Sequence, residues 1–440
     1  MKARHLPVLL ASLLLAAAGC RSHERQAAPS GAAPPAPAPS AAAPPPAANL
    51  PESLPRGLLV ALSQFAVENG KVVPKPGAAR LEMVVRRGGA WHVASLEDPA
   101  SNVFHKAMVY TPPGEPPGIL TLGGNAAAVK LWRHEPQGFV AETLWQTSFG
   151  GQQNRMREGE IADVYGDGRP SIVVATHDQG VVAVIHPKSG GGYETRELDR
   201  QKDTFVHEIE IGDLDGDGVL EVYATPSEPN RVDGTPQSGK VVRYVPAKGE
   251  GRQVVADLGE RHAKEILVGD VDGDGRDELY VSVEGTVEEQ GGRLQLTSPV
   301  EIRRYDAGTD PRGGVVIAKI EDRFCRFLTA GDVDGDGKKE MVAATFQSGL
   351  WLLRPGADAH APWSVTSIDR DSSGFEHAAL LTDLDGDGRD ELYVASDDQG
   401  ELRRYVWQDG HFEKQVILRR PIPGQFMTWN LMPVPAELVP

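Results

Sequence analysis

The stretch "HEIEIGDLDGDGVLEVYA" (residues 207–224) sets three aspartates and three glycines inside an alternating apolar run. Like charges at that density repel, so the loop either stays solvated or holds a cation. The flanks alternate with the two-residue period of a strand, which puts the acids on the turn of a hairpin.

The stretch recurs. "REGEIADVYGDGRPSIVV" (157–174), "KEILVGDVDGDGRDELYV" (264–281), "RFLTAGDVDGDGKKEMVA" (326–343) and "HAALLTDLDGDGRDELYV" (377–394) align with it without gaps, and "HKAMVYTPPGEPPGILTL" (105–122) keeps the rhythm but not the acids. Starts fall 50 to 62 residues apart, and further alternating runs such as "GVVAVIHP" supply four short strands per unit. Four antiparallel strands repeated at this period predict the blades of a β-propeller, an all-β fold, with no convincing helix in the body.

The chain ends fix the count. "MTWNLMPVPAELVP" (427–440) begins a repeat and stops after one strand, whereas "GLLVALSQF" and "ARLEMVVRRGGAWHVASL" near the N-terminus give three strands with no first one. One composite blade built from both ends removes the open edges and predicts a seven-bladed ring. The alternative is a separate N-terminal cap.

In the loop at 213, Asp213, Asp215 and Asp217 stand at positions 1, 3 and 5, and Glu221 returns a carboxylate at position 9. Hard oxygen ligands at this spacing suit calcium, completed by water and the position-7 carbonyl of Val219. The pattern repeats at Asp270, Asp272, Asp274, Arg276 and Glu278; at Asp332, Asp334, Asp336, Lys338 and Glu340; and at Asp383, Asp385, Asp387, Arg389 and Glu391. An EF-hand is excluded because position 12 is Ala224, Val281, Ala343 or Val394 on a strand. Solvated Asp-Gly turns are the alternative. The copy at 163–171 keeps Asp163 and Asp167 but has Tyr165 and Ser171 at ligand positions, so it is expected to be empty or weak.

These loops resemble the FG-GAP or VCBS repeat family, whose calcium-loop blades also occur in integrin α-subunit heads. The resemblance covers most of residues 57–435 and rests on "GDxDGDGxxE", which is complete in three copies and lacks the leading glycine at Thr382. It implies a seven-bladed, extracytoplasmic, calcium-binding propeller, most often a binding or adhesion module, with the four carboxylate sets as ligands. Members differ in activity, so fold alone assigns no chemistry.

Residues 1–19 have a basic start, an apolar centre and small residues, the layout of a secretory signal. "AAAGC" (16–20) resembles a bacterial lipobox, with Ala17 where Leu is more typical, and implies lipidation of Cys20; an ordinary signal is the alternative. Residues 20–53 read as a Pro/Ala-rich tether that could hold a body at 54–440 up to about 100 Å from a membrane. The expected location is the bacterial cell envelope, as an outer-membrane lipoprotein facing periplasm or cell surface. With only one other cysteine, Cys325, there is no disulfide framework. No later stretch is apolar enough to span a bilayer. A formal net charge of −17 argues against a nucleic-acid partner.

The aligned repeats begin with His105, Arg157, His207, Lys264, Arg326, His377 and Met427. In a closed ring the six basic or imidazole positions surround the channel mouth opposite the acidic loops, a candidate site for an anionic protein or glycan ligand. Alternatively each pairs with a neighbouring acid such as Glu158, Glu208 or Glu265. Enlarged turns at 226–239 and 283–299 rise from that face. Two functions follow: a calcium-stabilised binding, adhesion or scaffold module, or an enzyme cleaving acidic polysaccharides, lyase-like, with His207 or His377 as base and Arg157 or Arg326 neutralising a uronate. No G-x-S-x-G, H-E-x-x-H, phosphate-binding glycine loop or CxxC pair supports catalysis.

Overall fold

Six consecutive runs of the chain each fold into a four-stranded antiparallel meander, and the two ends complete a seventh. The computed structural model describes residues 50–149, 154–226 and 228–440. Blade 1 is the composite one: Phe426–Pro435 is innermost, followed by Arg56–Glu68, Ala79–Arg87 and Ala90–Asp98. Blades 2 to 7 have as innermost strands Phe104–Tyr110, Met156–Ala162, Val206–Gly212, Ala263–Gly269, Cys325–Gly331 and Ala379–Thr382.

The closure expected from the chain ends is observed. Gly57 pairs with Val434 and Ser63 with Met427 in one antiparallel ladder. The N-terminal portion is therefore part of the ring rather than a cap. It carries one strand more than expected, Lys71–Pro76, which folds back on the overlong end of Arg56–Glu68. Residues 50–53, expected to belong to the tether, already dock on blade 1: Gly89 N–H donates to the Glu52 carbonyl at 2.7 Å and Arg86 Nε to the Pro51 carbonyl at 2.9 Å. The signal and Cys20, and the tether up to residue 49, lie outside the described residues.

The second strand of each blade explains why the apolar runs lose their alternation there. Ser171–Thr176, Glu340–Thr345 and Glu391–Ser396 are buried at every position, because blades cover both faces. Seven apolar clusters result, one at each junction between neighbouring blades; Leu59, Leu81 and Met83 of blade 1 meet Phe104 and Ile119 of blade 2, and Leu58 and Val60 meet Tyr393 and Leu402 of blade 7. Cys325 is buried in one of them, as a small hydrophobe. Among the described residues the only helical turns are Asp397–Gln399 and Ala436–Leu438. None is long and apolar enough to cross a membrane.

Candidate functional site

The ring has two chemically different ends. At one, the turn between the first and second strands of blades 4 to 7 gathers the aspartates. Asp213/Asp215/Asp217, Asp332/Asp334/Asp336 and Asp383/Asp385/Asp387 each place carboxylate oxygens within 4.8 Å of one another, and Asp270/Asp272/Asp274 do so together with Glu278. Backbone donors build each loop: Asp213 accepts the N–H groups of Asp217 (3.1 Å) and Gly218 (2.7 Å), and Gly216 and Gly218 take the positive φ values, 69° and 82°, that the reversal requires.

The position-9 glutamates behave differently from the sequence expectation. Only Glu278 joins its aspartates; Glu221, Glu340 and Glu391 do not. Glu221 and Glu340 accept the backbone N–H of loop position 2, from Leu214 (3.1 Å) and Val333 (3.2 Å). All four glutamates meet an arginine from the third strand of their blade: Arg243, Arg304 (3.2 Å), Arg354 (3.5 Å) and Arg404 (2.5 Å). Each of these arginines also reaches the position-3 aspartate, as Arg304 does Asp272 at 2.5 Å and Arg354 does Asp334 at 2.9 Å. An internal cation therefore already offsets part of each loop's charge. Burial lifts the Glu278, Glu340 and Glu391 carboxyls to about 7, with the arginines pulling the other way. The side chains of Val219, Arg276, Lys338 and Arg389 stand at position 7, where the carbonyl is the expected donor.

The loop at 163 shows why it differs. His186, on the third strand of its blade, faces position 9 of the loop hairpin as Arg354 does in blade 6; its Nε2 is 3.2 Å from Asp167 and its ring packs edge-on against Tyr165. Arg169 also pairs with Asp167. Lys248 likewise pairs with the equivalent Asp217 of the 213 loop, so what sets the 163 loop apart is Tyr165 and Ser171 at ligand positions. His186 Nδ1 lies 2.9 Å from Ser171 Oγ, which gives the order of a hydrolase relay, but Ser171 is 0 % exposed and the arrangement is a lock.

At the opposite end, the first residue of the repeats has a structural reason to face the channel. Pairing of first and second strands skips His105, Arg157, Lys264 and Arg326, each the extra residue of a β-bulge, and a bulge also falls at His207–Glu208. A bulge re-aims the side chain of the extra residue. Arg157 Nη2 donates to the His207 ring (2.9 Å to Nε2), lies 3.6 Å from Glu376 and stacks on Trp429 at 5.4 Å. Arg326 lies between the rings of Phe324 (5.4 Å) and Phe375 (5.2 Å), and its closest carboxylate is Glu376 at 4.0 Å. Lys264 pairs with Glu228 at 2.9 Å and lies 3.7 Å from Glu284, both on the enlarged turns. The mouth is thus partly paired, with loop acids rather than with Glu158, Glu208 or Glu265.

Two expected positions are corrected. His377 does not face the mouth: it is fully buried at a positive φ of 55°, with Nδ1 2.6 Å from the Thr345 carbonyl and Nε2 2.7 Å from Ser372 Oγ. Its neighbour Glu376 enters the mouth instead. In blade 1 the bulge falls at Trp429, two residues beyond Met427, and Trp429 packs edge-on against His105 at 4.7 Å. Arg155, His177 and Phe205 join from adjoining segments; Arg155 donates to His177 at 2.5 Å. Burial and then nearby arginines hold His105, His177 and His207 below the imidazole range. Deeper in the channel Lys106 meets Glu158 (2.8 Å) and Glu160, and burial holds Glu208, Glu210 and Glu265 well above the carboxylate range.

The fold is a seven-bladed β-propeller with acidic hairpin loops at one end. Residues 163–224 match the FG-GAP-like repeat family. Among curated proteins none matches the chain in sequence. Solved structures share the architecture at low identity: a protein from Lactobacillus plantarum (TM-score 0.52, 10 % identity, 86 % of this chain and 99 % of that one), a putative 6-phosphogluconolactonase from Bacteroides fragilis (0.50, 11 %, 86 % and 98 %) and lignostilbene dioxygenase from Pseudomonas brassicacearum (0.50, 11 %, 88 % and 93 %). At such identity they are similar in fold alone.

Proposed function

We propose that this chain is a calcium-clamped binding propeller, held at the cell envelope by a lipid on Cys20, that presents the bulge-lined end of its channel to a protein or glycan ligand. The observation that carries the reading is the bulge recurring in six innermost strands, five of them with a basic or imidazole side chain there. Each one interrupts a ladder, and together they turn five basic or imidazole side chains toward one opening among aromatic rings. At the far end, the aspartate clusters of four consecutive blades suit calcium by donor type and spacing, with Asp213, Asp270, Asp332 and Asp383 opening the sets. Calcium there stabilises the folded ring by mass action and leaves the mouth free.

Cleavage of an acidic polysaccharide is the weaker reading. It needs an imidazole able to take a proton near neutrality, and His105 and His207 are held below that range, while His377 is buried with both ring nitrogens engaged. Glycan-array binding by the purified, calcium-loaded chain in detergent tests the function. Binding to a discrete set of glycans that weakens with Phe375→Ala at the rim supports it; binding indifferent to that change refers the ligand to another surface, and product release would restore the enzyme.

A further inference from the structure

We infer that the channel mouth recognises a carboxylate carried on a hydroxylated ring, an acidic sugar of the hexuronate type, with Arg326 as the group that takes the carboxylate; this rests on the binding reading above. Arg326 is 7 % exposed, yet its Nε and Nη1 have no hydrogen-bond partner. Leaving buried donors of a charged group unsatisfied is costly, so these two donors call for a partner, whether water, an ion or a ligand group. The flanking phenyl rings hold the guanidinium by stacking and leave those donors open.

The remaining chemistry narrows the class. Arg157 shares Glu376 at 3.6 Å and Lys264 has Glu228 at 2.9 Å, whereas Arg326 has only the shared Glu376 at 4.0 Å. The two open donors of the planar Arg326 guanidinium give the fork that a carboxylate accepts in bidentate fashion. His105 Nε2 and His177 Nδ1 are buried and without a hydrogen-bond partner, and neutral imidazole nitrogens are partners for hydroxyl groups. Trp429 and Phe375, the latter 36 % exposed, offer aromatic surface for the apolar face of a sugar ring.

Isothermal calorimetry on the calcium-loaded full chain in detergent tests this with tri-galacturonate and its methyl ester. The acid should bind, the ester at least about tenfold more weakly. Arg326→Met, which keeps the slot between the phenyl rings filled, should cost about tenfold or more in affinity at unchanged melting temperature, with Arg326→Lys between. Equal binding of acid and ester, full affinity in Arg326→Met and Arg326→Lys, or no heat from either probe at millimolar concentration each overturns the carboxylate assignment. If Phe375→Ala then still weakens binding of whichever glycan the array finds, the mouth remains the ligand end and only its chemistry was misassigned; if it does not, the binding reading falls too.

Discussion

Asp277 of blade 5 joins two blades through one carboxylate: its Oδ2 accepts the backbone N–H of Asp213 in blade 4 at 2.9 Å, while its Oδ1 accepts that of Asp270 in its own loop at 3.1 Å. Asp390 repeats the relation, taking the Asp332 N–H at 2.9 Å with the Asp383 backbone as a further partner. This contact explains the leading glycine at Gly212 and Gly331, though not at Gly269, where a Cβ would meet open space. A Cβ at Gly212 would meet Asp277 Oδ2 at 2.9 Å and Val268 at 2.3 Å, and one at Gly331 would meet Asp390 Oδ2 at 2.5 Å.

Asp277→Asn should therefore act on two blades. An amide can accept one of the two N–H groups but turns its NH2 toward the other, and the expected loss is about 1–3 kcal/mol. Calcium affinity should fall at both the 213 and 270 loops. Denaturant unfolding and calorimetry check this; weakening at one loop alone would show that the carboxylate does not couple them.

Arg304 stands behind the 270 loop and holds both Asp272 and Glu278. Removing one partner of a buried ion cluster costs about 3 kcal/mol or more, so Arg304→Met should be strongly destabilised in chelator. Calcium supplies the missing positive charge, and the melting temperature of the variant should rise on calcium addition by more than that of the wild type. An equal rise in both would show that arginine and metal do not share the same acids.

The channel gives a pH signature. Burial first, then the Glu158 and Glu265 charges, raise Glu208 well above its usual 4.5, against Lys106 and Arg157. The folded chain keeps a proton there that the unfolded chain releases, so this group's contribution is present below about 4.5 and is lost as pH rises toward the folded value. Glu208→Gln abolishes the titration. Its stability relative to wild type should increase, by on the order of 1 kcal/mol per pH unit, as pH rises above about 4.5 toward the folded value; parallel melting curves over that rise would contradict the assignment.

Cys20→Ala should release the protein from membranes or leave it unprocessed, as judged by fractionation. Unchanged membrane association would contradict a lipid anchor.

Much of the fold was legible because the loops repeat in phase: three aspartates on a hairpin every fifty to sixty residues fix the blade, and the complementary ends fix the closure. What escaped the sequence depends on partners distant in the chain. Glu221, Glu340 and Glu391 fit the calcium pattern by spacing, but arginines twelve or more residues later, on a third strand, engage them. The first-residue alignment located the mouth, yet the left-handed turn at His377 and the shifted bulge at Trp429 moved two of seven positions. Glu208 and Glu210 alternate as a solvent-facing strand would, but both are half-buried and stand close to Glu158, Glu160 and Lys106 of the neighbouring strands.

On the proposed reading four loops hold calcium and a fifth, at 163, does not. Isothermal titration of calcium into chelator-treated, dialysed protein tests it most directly. About four sites are expected for the wild type, about three after Asp270→Ala and an unchanged number after Asp163→Ala, whose loop has Tyr165 and Ser171 at ligand positions. Absence of binding at millimolar calcium, or an equal loss from both substitutions, would contradict it.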